Sequence, residues 1–311
     1  MRLRHIEVFQ AIRQSGSVSG AAQLLHVSQP AVTKVLQHAE QQLGFPLFLR
    51  VRGKLQATPE AIELEREIAK VSESLQSVRR LAQNLRRNPG RMLRVGATPA
   101  LALSLLPQLM TSWLTRYPQS SCELSTHHTR ELVQGLMMRE LDVGLTLKQP
   151  GHPGLAVRTI ASGALVALAP DGFWAGSAAG TPLALEELAD APLVGLSTDD
   201  PLSALLEHHL AVVEPPPRIR IAVQTYPLAR ALVEAGAGVA IVDPFTALGA
   251  DPATTMIRPL APALPMTLYA LTRADETPAH ALSTLLELLA ARAGELVARV
   301  IDAGNQAKPC G

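Results

Sequence analysis

Residues 28–43 have the pattern of a helix with one apolar side and one hydrogen-bonding side. The apolar positions recur at steps of four, three and four residues, which is the spacing of one helix face: Val32, Leu36, Ala39 and Leu43. The opposite side holds mostly uncharged donors and acceptors: Gln29, Thr33, Lys34, Gln37 and His38. A solvent-facing helix side is usually denser in Glu and Lys. Because such side chains suit the base edges of a DNA major groove, we predict a recognition helix.

The residues before this helix predict a helix-turn-helix. Ser28 is placed to cap the first turn, and Pro30 is tolerated there because a first-turn residue needs no N–H donor. Upstream, Gly16-Ser17 separates an opening helix from a second short helix at residues 18–25, which Ser17 or Ser19 caps. The tight connection before Ser28 is typical of the DNA-binding motif. A plain helical hairpin in an all-helical domain is the alternative.

A β-hairpin with a basic turn follows, with its arms at residues 47–49 and 54–57. Arg50, Arg52 and Lys54 crowd this turn, where they could reach phosphates or a narrow minor groove. A charged, solvent-facing turn is the alternative, but the neighbouring recognition helix favours the DNA contact. The predicted DNA-binding residues are therefore Ser28, Gln29, Pro30, Ala31, Thr33, Lys34, Arg50, Arg52 and Lys54.

A long helix with an apolar seam is predicted at residues 59–88. Seven apolar positions alternate at steps of four and three: Leu64, Ile68, Val71, Leu75, Val78, Ala82 and Leu85. This heptad pattern predicts a coiled coil that pairs two chains. Two recognition helices about one turn of DNA apart would then read a two-fold symmetric site. The alternative is a helix that folds back on its own body.

Four motifs in the N-terminal region carry a family resemblance: Ala21-Ala22-x-x-Leu25, Ser28-Gln29-Pro30-Ala31-Val32, Glu40-x-x-Leu43-Gly44 and Pro46-Leu47-Phe48. In this order and spacing, residues 1–58 resemble the winged helix-turn-helix of the LysR-type transcriptional regulators. Thr33-Lys34 replaces the family's commoner Ser-Arg, and Leu49 replaces a frequent Glu. The resemblance implies a C-terminal effector-binding domain similar to two-lobed solute-binding proteins, and a homodimer or homotetramer.

The charge distribution agrees with a DNA-binding head on a separate body. Residues 1–91 hold 14 Lys/Arg against 7 Asp/Glu, whereas residues 92–311 hold 14 against 20. We expect a winged helix-turn-helix at 1–58, a dimerisation helix at 59–88 and a regulatory domain at 92–311. No apolar run reaches membrane-spanning length, and the first residues lack the apolar core and cleavage site of a signal peptide, so we expect neither a membrane span nor a signal peptide. The two cysteines, Cys122 and Cys310, lie far apart in the sequence and imply no disulfide framework. We therefore expect a cytoplasmic protein.

Residues 92–311 alternate short apolar segments with amphipathic ones, which is typical of an α/β domain. We predict one continuous helix at 101–117, a return strand at 267–271, a final helix at about 279–303, and proline-rich connections at 214–217 and 250–265. Two groups of βα units make two lobes with a cleft. Lobe I comprises about residues 92–162 and 267–311, and lobe II about 163–266.

The cleft is predicted to bind a small ligand. Ligands of open α/β sheets lie at the carboxyl ends of strands, where helix N-termini offer free N–H groups. Those ends contain Thr98, Pro99, Ala100, His128, Thr129, Thr146, Ser197, Thr198, Asp199, Thr225, Tyr226, Asp243 and Pro244. The hydroxyls suit a polar ligand with a carboxylate, and Asp199 or Asp243 could hold an ammonium group. For each Ser or Thr, the alternative is a helix cap.

Two segments narrow the resemblance further, Val51-Arg52-Gly53-Lys54-Leu55 and Val242-Asp243-Pro244-Phe245-Thr246-Ala247. They look like regulators of lysine biosynthesis and of opine catabolism, which implies an effector derived from an amino acid.

No catalytic residue, cofactor or metal site is predicted. Gly236-Ala237-Gly238 ends a helix and enters a strand, the reverse of a dinucleotide fingerprint. The adjacent pairs His127-His128 and His208-His209 lack metal-ligand spacing, and Cys122 has no activating base in its sequence context. The alternative function is a two-lobed solute-binding protein or enzyme with an N-terminal helical oligomerisation module, against which the basic turn and the recognition helix weigh.

Overall fold

The computed structural model describes residues 1–51, 54–86, 92–174, 180–197 and 201–306. The chain divides into two compact units, Met1–Ala82 and Gln83–Gly311. Among the predicted site residues, Arg52, Thr198 and Asp199 lie outside the described residues, and so do the side chains of Lys54 and Leu85. In the described part of the chain, no helix is both long enough and apolar enough to cross a bilayer.

The first unit is a winged helix-turn-helix. Its elements are α1 (Leu3–Ser15), α2 (Val18–Leu24), α3 (Gln29–Leu43), β1 (Phe48–Val51), β2 (Lys54–Ala57) and α4 (Pro59–Arg86), the last of which continues into the second unit. Gly16 ends α1 with a φ of 71°, and the Ser17 hydroxyl caps α2 by accepting the Gly20 N–H. Ser28 stands at the N-cap of α3, but its side chain makes no capping hydrogen bond, contrary to the prediction.

The β1–β2 hairpin, which is the wing, is linked to α3 by hydrogen bonds to one carboxylate. Glu40 of α3 accepts the N–H groups of Leu47 and Phe48, at 2.8 and 3.2 Å from the same oxygen. β1 and β2 pair as an antiparallel hairpin in which Val51 faces Lys54. Thr58 is buried, donates to the carbonyl of Pro46 and accepts the Ala61 N–H, so that it joins the hairpin to the start of α4.

The second unit consists of two α/β lobes. Its elements are β3 (Met92–Ala97), α5 (Pro99–Ser104), α6 (Leu106–Arg116), β4 (Ser121–Thr126), α7 (Thr129–Met137), β5 (Val143–Thr146), β6 (Leu155–Ala164), β7 (Val166–Pro170), β8 (Leu183–Ala184), β9 (Pro192–Leu196), α8 (Pro201–Leu210), β10 (Arg218–Val223), α9 (Tyr226–Glu234), β11 (Ala240–Val242), α10 (Pro244–Ala247), β12 (Thr255–Ala261), β13 (Pro265–Arg273) and α11 (His280–Gln306).

The sheet order defines the lobes. Lobe I has the order β4-β3-β5-β13-β6, and lobe II has β11-β7-β12-β8 with the parallel pair β10-β9 joined to it by a bridge from Leu193 to Val239. The chain leaves lobe I after β6 and returns through β13, and these two strands pair along their length. The predicted two-lobed architecture is confirmed. Its largest buried side chains include Leu101, Trp113 and Leu145.

Two secondary-structure predictions for the second unit are wrong, and strand β6 was missed. The helix expected at 101–117 breaks at Leu105, whose φ of −104° precedes α6, because Pro107 disfavours continuation through the residues before it. The segment 250–265 contains β12, which the sequence concealed because Pro259 lies within it. Strand β6 was not predicted, since its partly exposed face mixes Arg158 and Thr159 with small residues.

Candidate functional site: an exposed helix face and a cavity

The polar side of α3 is open to solvent. Val32, Leu36 and Ala39 are buried in the core of the first unit, which turns the opposite side outward. Of the DNA-contact residues predicted on this helix and at its start, Ser28, Gln29, Pro30, Ala31 and Lys34 are exposed. Thr33 is half-buried, and its hydroxyl donates to the carbonyl of Gln29 at 3.1 Å. Arg50 is exposed at the end of β1.

Two histidines join α3 to the start of α1. His5 is 5% exposed, and its Nδ1 accepts the backbone N–H of Arg2 at 3.2 Å. The neutral ring therefore carries its proton on Nε2, which lies 3.1 Å from Nδ1 of the exposed His38. Burial, and then the charges of His38, the N-terminus and Arg2, lower the pKa of His5. Sequence reasoning missed this pair, because a single histidine in an amphipathic helix carries no signal of its own.

The apolar seam of α4 is packed against its own unit at one end and exposed to solvent further along. Ile68 is buried in the core of its own unit and Leu64 packs against that core, so this part of the helix follows the alternative of folding onto its own body. Leu75 is half-buried, whereas Val71, Val78 and Ala82 are exposed, Val78 to 62%. The seam is thus available to a partner chain only beyond Ile68.

A cavity of about 410 Å³ lies between the lobes of the second unit. Nine of the thirteen predicted ligand residues line it: Thr98, Pro99, Ala100, His128, Thr129, Thr146, Ser197, Thr225 and Tyr226. Arg130, Leu147, Lys148, Leu196 and Gln224 complete the lining. The rule that ligands lie at strand ends therefore located a real concavity.

Strand register explains why these residues meet. β3 and β5 are parallel neighbours in which Ala97 pairs with Leu145, so the next residues, Thr98 and Thr146, come out at the same edge. The Thr98 N–H donates to the carbonyl of Leu145 at 2.9 Å, and the Thr98 hydroxyl is buried without a hydrogen-bond partner among the described residues. Helices α7 and α9 begin at the cavity wall and direct the positive ends of their dipoles to it.

The charged side chains that the structure describes in the cavity wall are basic. Arg130 and Lys148 line it together with the titratable His128, and none of the described lining residues is an Asp or Glu. Sequence reasoning missed both cations because it considered mainly hydroxyl and carboxyl side chains at the strand ends. A wall of this composition favours an anion over a cation.

Asp243 and Pro244 were predicted to line the cleft, and the structure corrects both. Asp243 is 0% exposed; it caps α10 by accepting the backbone N–H and the hydroxyl of Thr246, at 2.9 and 2.6 Å. Burial raises the pKa of Asp243, and the hydrogen bonds from Thr246 oppose that effect. Pro244 is buried in the first turn of α10. Asp243 is therefore part of the fold and cannot hold a ligand's ammonium group.

The remaining chemical candidates have structural explanations. Gly236 ends α9 with a φ of 82°, and Gly238, with a φ of 141°, sits where an added Cβ would meet the carbonyl oxygen of Pro192, so a tight turn is confirmed. Burial, followed by Asp142 and Glu123, raises the pKa of Cys122 to about 11, which keeps its thiol protonated. No cluster of three metal-ligating side chains occurs within the described ranges.

Comparison with known proteins places both units in one family. Residues 3–62 match the bacterial regulatory helix-turn-helix of the LysR family, and residues 86–294 match the LysR substrate-binding domain. The regulator DgcR of Pseudoalteromonas is 36% identical, covering 93% of this chain and 99% of its own. The transcriptional activator LysR of Escherichia coli K12 is 31% identical, covering 91% and 90%. The solved structure of full-length CbnR with its target DNA has a TM-score of 0.55 at 23% identity, covering 96% and 100%, which supports the fold alone.

Proposed function

We propose, since the chain belongs to the LysR family of bacterial transcriptional regulators, that a small organic acid bound between its two lobes is the effector. Membership of the family makes the chain a DNA-binding transcriptional regulator with a C-terminal effector-binding domain. The observation that carries the proposal is the cavity wall, which contains Arg130, Lys148 and Thr98, whose hydroxyl has no partner among the described residues, and in which no described carboxylate occurs.

A carboxylate can accept hydrogen bonds from the donors of this wall and balance its positive charge. Its oxygens accept hydrogen bonds only, and the wall supplies the hydroxyls of Thr98 and Thr129, the starts of α7 and α9, and two cations. A hydrogen bond to a charged group contributes about 1.5–3 kcal/mol. The cavity volume of about 410 Å³ falls within the range of small-ligand sites.

An effector derived from an amino acid, which the subgroup resemblance implies, needs an acceptor for its ammonium group. Asp243 is buried in the fold and cannot supply one. The other carboxylate considered from the sequence, Asp199, lies outside the described residues. Among the described lining residues, an ammonium group finds neutral acceptors such as Gln224 but no carboxylate, and it stands beside two cations, so the described wall favours an acid without an amino group over the matching amino acid.

For the rest of the molecule we propose the following assembly. The exposed side of α3 reads bases through Gln29, Thr33 and Lys34, and Arg50 contacts phosphate. Two chains pair through the exposed seam beyond Ile68 and read a two-fold symmetric site, and two dimers can form a tetramer. The protein acts in the cytoplasm, where bacterial DNA lies, and as a regulator it catalyses no reaction.

A thermal-shift comparison on the full chain tests the effector class. The ligands are two matched pairs with the same carbon skeletons: succinate with aspartate, and glutarate with glutamate. At about one hundred times Kd an effector adds about 2.7 kcal/mol, which raises the Tm of a domain of this size by roughly 5–10 °C. We expect at least one diacid to raise Tm and its amino acid to raise it less.

Two variants locate the effect. Thr98→Val removes the unpartnered hydroxyl and should weaken binding of the diacid by about tenfold or more. Thr115→Val is the matched control, because that exposed hydroxyl bonds to the carbonyl of Thr111 within α6, away from the cavity wall. A chain stabilised by the amino acids and not by the diacids would contradict the proposed effector class.

A further inference from the structure

Two threonine hydroxyls form a directed hydrogen-bond chain at the base of the cavity. Thr146 is 1% exposed at the end of β5, and its Oγ1 lies 2.8 Å from Oγ1 of Thr129 at the start of α7. The same Thr146 oxygen accepts the backbone N–H of Lys148 at 3.1 Å. Both threonines line the cavity, so the order of the protons in this chain decides what the wall offers to a ligand.

The geometry admits two orders, which differ in what they leave buried. If Thr129 donates to Thr146, the Thr146 oxygen accepts two hydrogen bonds and its own proton needs a third partner. The described contacts of Thr146 contain no such partner. A buried donor without an acceptor is unfavourable, so this order is the costly one.

The opposite order satisfies the buried group completely. The Lys148 N–H donates to Thr146, Thr146 donates to Thr129, and the proton of Thr129 remains available. Thr129 is less buried than Thr146 and lines the cavity, so this proton points to the one place where an acceptor can enter. The backbone N–H of Lys148 thus determines, through Thr146, that the Thr129 hydroxyl has its proton free to donate.

We infer that Thr146 is a positioning residue that fixes the Thr129 hydroxyl as a donor to the ligand, and so makes this position of the cavity selective for hydrogen-bond acceptors. The inference rests on the proposed effector cavity and deepens it. A carboxylate oxygen accepts the free proton of Thr129, whereas an amide N–H₂ in the same place leaves that proton without an acceptor and can use only the one lone pair of Thr129 that Thr146 has not taken. Selection against the amide follows from the proton order and needs no further charged residue.

Isothermal titration calorimetry on the full chain tests this selectivity. The probes are succinate with succinamate, and glutarate with glutaramate, in which one carboxylate becomes an amide of the same shape. The measured quantity is the Kd of the amide divided by the Kd of the matching diacid. In Thr146→Val the Thr129 hydroxyl turns freely, and we expect the ratio to fall by about fivefold to tenfold, the effect of one hydrogen bond.

Three further variants separate positioning from simple support of the fold. Thr146→Ser keeps the hydroxyl and should restore the wild-type ratio. Thr129→Val removes the donor itself and should lose the same selectivity, which keeps the inference testable if Thr146→Val does not fold. Thr255→Val is the control, because Thr255 is also buried but its hydroxyl donates to the carbonyl of Asp251, outside the cavity wall, and it should leave the ratio unchanged.

The outcomes distinguish this inference from the proposed function. If Thr146→Val or Thr129→Val weakens both members of a pair equally and leaves the ratio unchanged, Thr146 only supports the wall and the inference is overturned while the cavity stands. If the wild-type chain binds none of the four probes, the acidic effector class is overturned, and the inference with it.

Discussion

Acidification should loosen the DNA-binding unit before it affects the effector domain. The perturbation acts on His5, whose pKa burial lowers in the folded chain, with the charges of His38, the N-terminus and Arg2 adding to the effect. The unfolded chain therefore binds this proton more readily than the folded chain. The stabilising contribution is fully present above the unfolded pKa of about 6.5 and is lost as the pH falls below it.

The size of the effect follows from one proton. Each pH unit below the unfolded pKa removes at most about 1.4 kcal/mol until the folded pKa is reached. Between pH 7.5 and 5.5 the first unit should therefore lose up to about 1.3 kcal/mol from His5. The structural reason is that a second proton on the His5 ring removes the acceptor Nδ1, so that a protonated His5 loses the hydrogen bond from the Arg2 N–H.

Hydrogen exchange followed by mass spectrometry measures this in the intact chain. Peptides from α1 and α3 should exchange faster at pH 5.5 than the intrinsic pH dependence of exchange predicts. Both tryptophans, Trp113 and Trp174, lie in the second unit, so their fluorescence serves as the internal control. In His5→Gln, which keeps hydrogen-bonding groups but does not titrate, the acid dependence should disappear. His26→Asn, at an exposed histidine with a φ of 53°, should retain it. An unchanged acid dependence in His5→Gln would refute the assignment.

Four other substitutions test separate parts of the molecule. Gln29→Ala should cost about 1–3 kcal/mol of discrimination between specific and random DNA, whereas Arg50→Ala should lower the salt slope of binding by about one; gel shifts over a salt series measure both, and equal weakening on all sequences for Gln29→Ala contradicts base contact. Val78→Lys should dissociate the dimer in light scattering without unfolding the chain, and an intact assembly would remove the coiled-coil hypothesis. Arg258→Met removes a buried guanidinium that pairs with Glu187 and lies over Trp174. Because the Glu187 side chain is 40% exposed and water can solvate its charge, urea unfolding followed by fluorescence should show a loss of about 2 kcal/mol rather than that of a fully buried pair, and a loss below about 0.5 kcal/mol would show that these contacts contribute little.

Local pattern predicted the first unit because its helices are amphipathic and clear turn residues separate the short ones. The apolar stripe that contains Val32 and Leu36 locates α3 in the sequence. Gly16 and Gly44 mark the ends of α1 and α3, and Ser17 marks the start of α2. The second unit was less predictable where tertiary pairing overrides local preference: β12 pairs with β7 despite Pro259. The heptad pattern of α4 was real, but periodicity alone does not say whether Ile68 packs inside its own unit or against a partner.

For the cavity, the sequence predicted which residues follow the strands but not which way their side chains face. Strand ends located Thr98, Thr129 and Thr146, because parallel register brings successive ends to one edge. The same rule selected Asp243, which also follows a strand but turns inward to cap α10. Nothing in a single sequence distinguishes a side chain that faces a cleft from one that closes a helix, since both follow a strand and precede a helical turn.

Arg130 is the residue whose sequence context held an unused signal. It lies in the first turn of α7, where the helix dipole disfavours a cation by about 0.3–1 kcal/mol. Glu131, the next residue, is placed as the dipole prefers and accepts the His128 N–H at 2.8 Å. Under the proposed function, an anion in the cavity is attracted by the helix start and by Arg130 together, which offsets the unfavourable position of this cation in the first turn. On that proposal, a basic residue in the first turn of a helix that follows a strand is a sequence pattern that directs attention to an anion site, and Arg130 has this pattern.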